Sequence, residues 1–556
     1  MKKWLINLPA DPGAPLLDRI LASRGIITPD DREKFLNPKL AQLRDPLEIP
    51  NIQAAAHRIM QAKERGEKTV VYGDYDVDGV TGTAILISTL KHLGLSVTYY
   101  IPHRYGEGYS LSPESVKKLA AEGVKLIVTV DCGIASAAEI ALAAELGMTV
   151  VVTDHHNLPE RLPPAAAIVN PKMIVGDHPS KYLSGAGVAF KVAWVLLRLA
   201  GEKDSVFLTS LLDLAALGTF SDVVPLTAEN RILAVGGLRL INERKRLGLK
   251  LLAEAASLKG TIDADRVYFA LAPRLNAAGR LEHASKAVEL LLTDDPSKGK
   301  EMAQELNRIN SRRQDIGAAI KDEVFAQLSD DYLAAHRLIV LAGENWHPGV
   351  IGIVASQIVD RYGKPAILIG INEGVGRGSA RSVAGFNIYA ILDSCRDLFL
   401  DFGGHEGAAG FEIEPARVPE LQQRLGEQLA KNIDPESMVP KLELDAQIDP
   451  QEISLALIRE LAKLAPFGEG NPSPLFMIGG LALAELKTVG KEGKHLKAWF
   501  GSNGIRLETI GFGFGALADK LDYNKEYDLA VNLEANEYNG FESVQLSLVD
   551  IREAAK

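Results

Sequence analysis

Three short apolar runs in this chain end in the same way, at an acidic residue, and helix-spaced segments separate them. Val70, Val71 and Tyr72 lead into Gly73-Asp74-Tyr75-Asp76-Val77-Asp78-Gly79. Lys125 to Val130 stops at Asp131-Cys132-Gly133, and Met148 to Thr153 stops at Asp154-His155-His156. Short apolar runs alternating with helical stretches such as Val80 to Leu93 predict strands of a mainly parallel sheet. Parallel neighbours share an edge, so the terminal acids and histidines are expected to converge at the carboxyl ends of the strands, where open α/β folds bind ligands. Asp222, in LGTFSDVVPL after the helical run Phe207 to Leu217, is a fourth candidate.

Aspartates with a minority of imidazole are hard-metal ligands and suit Mn²⁺ or Mg²⁺ better than a structural zinc. Any one Asp in a strand-to-helix loop is commonly just a helix cap. Several strand ends all finishing in acids or histidines are hard to attribute to capping. The two cysteines, Cys132 and Cys395, exclude a disulfide framework and a CxxC knuckle. Cys132 follows a candidate ligand, but with no other soft ligand beside it the residue reads as a small filler of a tight turn.

The set GDYDVDG, DCG, DHH and SDVV, in this order, resembles the DHH phosphoesterase superfamily, and within it the RecJ single-strand-specific exonucleases. Three downstream stretches agree: Arg274 to Leu281 (RLNAAGRL), Trp346 to Ile353 (WHPGVIGI) and Phe402 to Phe411 (FGGHEGAAGF), the last similar to the signature of the associated DHHA1 domain. Together these motifs cover nearly the whole chain.

A chain of 556 residues is too long for one core, and 47% hydrophobic with 24% charged residues is ordinary for a folded protein. The reading in order is an N-terminal extension (1–50) packed on the main domain, a catalytic α/β domain (51–292), a connecting helix (293–330), a smaller α/β domain (331–432) and a β-barrel domain (433–556). Proline-broken MKKWLINLPADPGAP lacks a signal-peptide core and no stretch approaches a membrane span, so a cytoplasmic protein without membrane partners is expected. A net charge of −11 argues against a polycation that coats nucleic acid, yet it leaves a nuclease open, because binding follows the local field. Neither GVGRGSARSV nor FGGHEGAAGF is a Walker loop, which removes support for nucleotide hydrolysis.

Arg104 to Tyr109 follows the run Ser96 to Ile101 and belongs to the same edge. Arg104 and Tyr109 there can hold a phosphate and stack on a base, or form a plain solvated turn. Arg274 and Arg280 flank the small residues of RLNAAGRL, as a helix terminus also would. Asp295-Pro296 starts a helix of about thirty residues. Ser379, Arg381 and His405 stand in glycine-rich surroundings and can donate to phosphate oxygens. Ile433, Asp434, Pro435 and Pro440 read as a linker. After a helix near Ile453 to Leu464, the pieces Leu475 to Ile478, Leu496 to Phe500, Leu529 to Leu533 and Val544 to Val549 predict short strands of the barrel. Lys487, Lys491, Lys494, His495, Lys497, Trp499 and Phe500 offer cations and aromatics, either as a strand-binding groove or as an edge of solvated lysines.

The resemblance implies an OB-like barrel at the C-terminus and two metal ions, Mn²⁺ or Mg²⁺. Asp131 would bridge them, with Asp76 on one side and Asp78, His155 and Asp222 on the other; Asp74 would be a further ligand or a supporting group. It implies roles for Asp154 and His156 in orienting His155 and the reacting phosphate, and phosphate contacts from Arg104, Arg280, Ser379, Arg381 and His405. It implies 5′ to 3′ digestion of single-stranded DNA to mononucleotides in repair and recombination, by a monomer that meets single-strand-binding protein and a helicase. The alternatives are a DHH nanoRNase or cyclic-dinucleotide phosphodiesterase, which are shorter and lack both the N-terminal extension and the barrel. A non-catalytic scaffold of the Cdc45 kind is a third, and it predicts eroded ligands, whereas every ligand position here is Asp or His.

Overall fold

The computed structural model describes residues 2–6, 13–202, 205–432, 441–502, 504–538 and 540–554. The chain divides into two compact units: one holds Asp45–Asp222 and Gly237–Pro440, and the other holds Lys3–Arg44, Val223–Gly236 and Lys441–Lys556.

After the strand β1 (Lys3–Ile6), which belongs to the second unit, five strands build the first sheet. They are β2 (Thr69–Gly73), β3 (Val97–Tyr100), β4 (Leu126–Val130), β5 (Thr149–Thr153) and β6 (Ala167–Val169), in the order β3-β2-β4-β5-β6 and parallel throughout. Every residue of β2 and β4 is buried, as a strand covered by helices on both faces requires. The helical run expected over Phe207 to Leu217 is two helices, Val206–Ser210 and Leu212–Ser221, because the Leu211 N–H bonds the Leu208 carbonyl in a tight turn (3.1 Å). The long helix spans Pro296–Gln327, with Asp295 accepting from the N–H groups of Ser297 and Lys298.

The same unit contains a second sheet of β7 (Ile339–Glu344), β8 (Ala366–Asn372), β9 (Val375–Arg381), β10 (Phe399–His405) and β11 (Ala408–Ile413), ordered β10-β11-β9-β8-β7. Only β7 and β8 run parallel, joined by the helix Pro348–Tyr362. The two glycine-rich motifs are thus strands: one is β9, the other the β10–β11 hairpin.

In the second unit, β12 (Lys441–Leu444) and β13 (Ala446–Gln447) precede a closed five-stranded barrel. Its strands are β14 (Phe476–Val489), β15 (His495–Ser502), β16 (Ile505–Gly511), β17 (Glu526–Tyr538) and β18 (Phe541–Glu553). The ring runs β14-β15-β16-β18-β17 and shuts where β17 pairs β14. Of the N-terminal extension, 1–50, expected on the main domain, Lys3–Arg44 belongs to this unit instead, while the stretch from Asp45 stays with the first. β1 pairs in parallel with β12, and Leu16, Leu17, Ile20 and Leu21, the apolar face of the helix Leu16–Ser23, join the barrel core beside Leu464 and Phe476. A helix this short has no stability alone and takes the apolar surface it can cover. Phe500, expected in the binding groove, points into the core because strand alternation puts it on the opposite face from Trp499. The linker read at Ile433 to Pro440 lies outside the described residues. Among those described, no helix is long and apolar enough to cross a membrane.

Candidate active site and metal centre

The carboxyl edge of the first sheet collects the acids. Asp76 caps the helix Val77–His92, accepting from the N–H groups of Asp78 (2.9 Å) and Gly79 (3.1 Å). Asp78, in the first turn of that helix, is buried and accepts from Gly185 N (2.5 Å) and Ala186 N (2.9 Å), at the start of the helix Gly185–Leu199. Asp131 ends β4 with φ +61°, a left-handed conformation that Asp tolerates better than most residues, and its N–H bonds the Thr153 carbonyl (3.0 Å). Gly185 leaves room for it: a Cβ there would stand 2.6 Å from the Asp131 Cβ. Asp222 follows the helix Leu212–Ser221 as its C-terminal cap.

His155 Nε2 lies 3.0 Å from Asp131 Oδ1, 3.5 Å from Asp222 Oδ2 and 3.8 Å from Asp78 Oδ2, and the ring is hydrogen-bonded to the Leu183 backbone. Nevertheless Nε2 lacks hydrogen-bond geometry to any of them, and it is buried without a partner, as are Asp131 Oδ1 and Asp74 Oδ1. Burial, with the charge of His156 adding, pushes the His155 pKa down to about 3, so the ring is neutral and offers a lone pair. Asp154, fully buried at the end of β5, accepts from Ile134 N (3.0 Å), His155 N (2.7 Å), His156 N (3.1 Å) and His156 Nδ1 (2.8 Å). Burial acts against a charged His156, but the Asp154 hydrogen bond and charge outweigh it and hold its pKa above the ordinary value. The Tyr109 hydroxyl stands 3.0 Å from the Asp131 carbonyl oxygen, to which it donates, and 3.1 Å from His156 Nδ1.

Three triads offer one ligand atom each within 4.8 Å of the others: Asp74, Asp76 and Asp131; Asp78, His155 and Asp222; and Asp131, His155 and His156. Asp131 is in two of them. Burial and mutual repulsion raise the carboxyl pKa values, to about 7 for Asp78 and about 9 for Asp222, with Asp131 and Asp74 also well above the ordinary range. Crowded carboxylates, a neutral imidazole and three buried atoms without hydrogen-bond partners form a donor set that fits divalent cations. The sequence-expected ligands Asp74, Asp76, Asp78, Asp131, His155 and Asp222 all meet here, with His156 at the rim.

Beside this edge a cleft of about 610 Å³ is lined by Tyr75, Arg104, Tyr109, Ile351, Ser379 and Phe411 among others. Arg104 lies over the Tyr75 ring (4.8 Å). Arg280, on the helix Ala272–Leu281, donates to the Gly349 carbonyl (3.1 Å), and Arg381 donates to Ser379 Oγ (3.2 Å) and the Ala380 carbonyl (2.7 Å). Gly352 opens space for the last two: a Cβ there would meet Ser379 Oγ at 2.8 Å and an Arg381 nitrogen at 2.9 Å. Burial and the charge of Arg104 lower the pKa of both Arg280, to about 10, and Arg381. His405 shares their sheet face, since Ala408 pairs with both Arg381 and His405, but it is exposed at the rim and its Nδ1 accepts only from Gly407 N (3.2 Å).

In the barrel, Trp499 is half-buried among cations: the Lys487 and Lys497 ammoniums at 5.0 and 5.3 Å and the Arg506 guanidinium at 5.3 Å from its ring centre. Lys497 is also paired with Glu508 (2.8 Å), so the patch is less basic than the run of lysines suggests. Sequence reasoning missed the N–H groups of Gly185 and Ala186, whose small-residue run after Ser184 is a weak signal. It also missed Asn276, whose Oδ1 accepts from Val77 N (3.1 Å) and ties the acid loop to the helix of Arg280.

Residues 68–219 match the family model for the DHH family N-terminal domain, residues 333–431 that for the DHHA1 domain, and residues 444–550 that for the RecJ OB domain. Over 539 residues the chain is 39% identical to the single-stranded-DNA-specific exonuclease RecJ of Bacillus subtilis (strain 168), covering 96% of this chain and 68% of that protein. Its fold is similar to that of RecJ from Thermus thermophilus crystallised with Mn²⁺ (TM-score 0.85, 35% identity, 100% of this chain and 80% of that one). The likeness to the same protein crystallised with Mg²⁺ has a TM-score of 0.79 at 33% identity, over 100% of this chain and 79% of that one. With three family domains in order along the chain and a buried acid and histidine cluster in the first of them, the chain belongs to the RecJ family of DHH phosphoesterases.

Proposed function

We propose that this chain is a Mn²⁺- or Mg²⁺-dependent exonuclease that hydrolyses single-stranded DNA from the 5′ end to mononucleotides, in DNA repair and recombination. The observation that carries the reading is the set of buried, unpartnered ligand atoms, Asp74 Oδ1, Asp131 Oδ1 and His155 Nε2, at the sheet edge beside a cleft lined by Arg104 and Ser379. Asp74, Asp76, Asp78, Asp131, His155 and Asp222 would hold two such ions, with Asp131, which belongs to two of the ligand triads, shared between them; when bound, the ions would supply an activated water and neutralise the leaving oxygen. Asp154 fixes the His156 ring and favours its charged form, which places His156 to donate to a phosphate oxygen at the rim. Arg104, Arg280, Arg381 and Ser379 hold the terminal 5′-phosphate, Tyr109 the first base, and His405 flanks their edge. Lys497 and Trp499 hold the strand further along.

Residues 51–292 are thus read as the chemical domain, 331–432 as the end-binding domain, 293–330 as the helix between them and 433–556 as the strand-holding domain. Of the N-terminal extension, 1–50, the described residues up to Arg44 that share the barrel's unit are a support for the barrel. Single-strand-binding protein, a helicase, a monomeric state and a cytoplasmic setting are proposed on family membership alone.

Degradation of a single strand labelled at either end tests the reading. Mn²⁺-dependent release of the 5′-terminal label as a mononucleotide, before the 3′ label, is expected. Equal activity in chelator, first release from the 3′ end, or cleavage of dinucleotides only would overturn it.

A further inference from the structure

Just before Arg274 the helix widens to a π-turn, Val267–Leu271, a rare geometry that recurs at functional sites. On this turn Phe269 is 80% exposed. Its neighbour Tyr268 instead packs edge-on against Phe220, so the turn presents one ring to the protein and one to solvent. Arg274 reaches back over the turn: its Nη1 donates to the Ala270 carbonyl (2.7 Å) and its Nε to Asn307 Oδ1 (2.8 Å). On the long helix Asn307, Asn310 and Arg313 are spaced three apart on one face, and Arg313 donates to buried Asn310 (2.7 Å) while its Nε stays buried without a partner. Among the described residues neither guanidinium has a carboxylate partner. Burial lowers the pKa of both, and Arg313 is further depressed by the charge of Arg274. Arg313 in turn acts on Arg280, so the cations continue from the end pocket to this pair.

Two neighbouring guanidiniums, each held by a neutral amide and neither by an acid among the described residues, are arranged for an anion that folding itself does not supply. An exposed ring on the turn whose backbone Arg274 grips is arranged for a flat apolar partner. We propose that Phe269, Arg274 and Arg313 form a separate nucleotide subsite, which stacks one base and holds one phosphate of a single strand whose end lies in the Arg280 pocket. The inference rests on the reading of the chain as a single-strand nuclease. The subsite does not touch the reacting phosphate; it sets preference for strands long enough to reach it.

Anisotropy with 3′-labelled oligothymidines in chelator, where no cleavage occurs, tests it on the full chain. Phe269→Ala and Arg274→Gln are each expected to weaken binding of a strand of about twenty nucleotides roughly tenfold, and binding of a trinucleotide far less. The loss should be the same for 5′-phosphate and 5′-hydroxyl ends. Phe269→Trp should restore affinity, and Arg313→Gln should make the salt dependence shallower by about one ion. Because Phe269 is exposed, its variants are not expected to disturb folding. An equal loss on the trinucleotide, or no loss on the long strand with Phe269→Ala, overturns the subsite while leaving the nuclease reading intact. A wild-type chain that binds neither length overturns both.

Discussion

Asp131 shows how much one residue is asked to do. It ends a buried strand, adopts a left-handed backbone, and presents an unpartnered oxygen to two ligand triads. Asparagine suits that backbone equally well but carries no charge, so Asp131→Asn should leave the melting curve nearly unchanged. Turnover should fall by more than the roughly 100-fold that loss of a supporting partner costs; single-turnover kinetics beside calorimetry checks both. The raised carboxyl pKa values make a second prediction. A carboxyl whose folded pKa lies above its unfolded value binds protons more tightly when folded, so its folded-state penalty grows as pH climbs from about 4 through the folded pKa. With Asp78 near 7 and Asp222 near 9, the metal-free protein should therefore melt at lower temperature as pH rises from about 6 to about 9. Mn²⁺ should flatten that slope; a chelated sample with no pH dependence would contradict it. Arg280→Ala or Arg381→Ala should cost about 1.5–3 kcal/mol, more on 5′-phosphate than on 5′-hydroxyl ends, in initial-rate comparisons.

At the scale of elements, what the sequence made legible was whatever local pattern decides. The apolar runs ending in Asp131 and Asp154 appear as β4 and β5 within a residue of their expected bounds, since burial on both faces leaves few other ways to place them. β16 was not foreseen because outward-facing Arg506 and Glu508 dilute its apolar signal. Neither was the pairing of Asp78 with the start of the helix Gly185–Leu199, which joins residues more than a hundred positions apart through backbone N–H groups that carry no side-chain signature. The same junction gives a prediction for that helix. Gly185→Ala would drive a methyl into Asp131 and should weaken Mn²⁺ binding roughly 10- to 100-fold in titration calorimetry, with helix content unchanged.

For the whole molecule, the second unit is drawn from three separated stretches, Lys3–Arg44, Val223–Gly236 and Lys441–Lys556. Buried Arg231 from the middle stretch stacks on Phe35 (3.8 Å) and donates to the carbonyls of Phe35 (2.7 Å) and Ala465 (2.9 Å), tying all three together. Removing the chain from Lys441 onward should therefore strip Leu16, Leu17, Ile20 and Leu21 of their cover. Gel filtration should show that truncation aggregating unless residues 1–44 are removed as well. The arrangement also imposes a schedule on synthesis. The helix Leu16–Ser23 leaves the ribosome early, and its partners follow more than four hundred residues later. At about 5–20 residues per second its apolar face waits on the order of half a minute or longer, while the parallel sheet and its acid cluster are already complete in sequence. A nascent chain of this protein thus carries the means of its chemistry before it can finish the barrel, with one greasy helix at its front end in need of a temporary guardian.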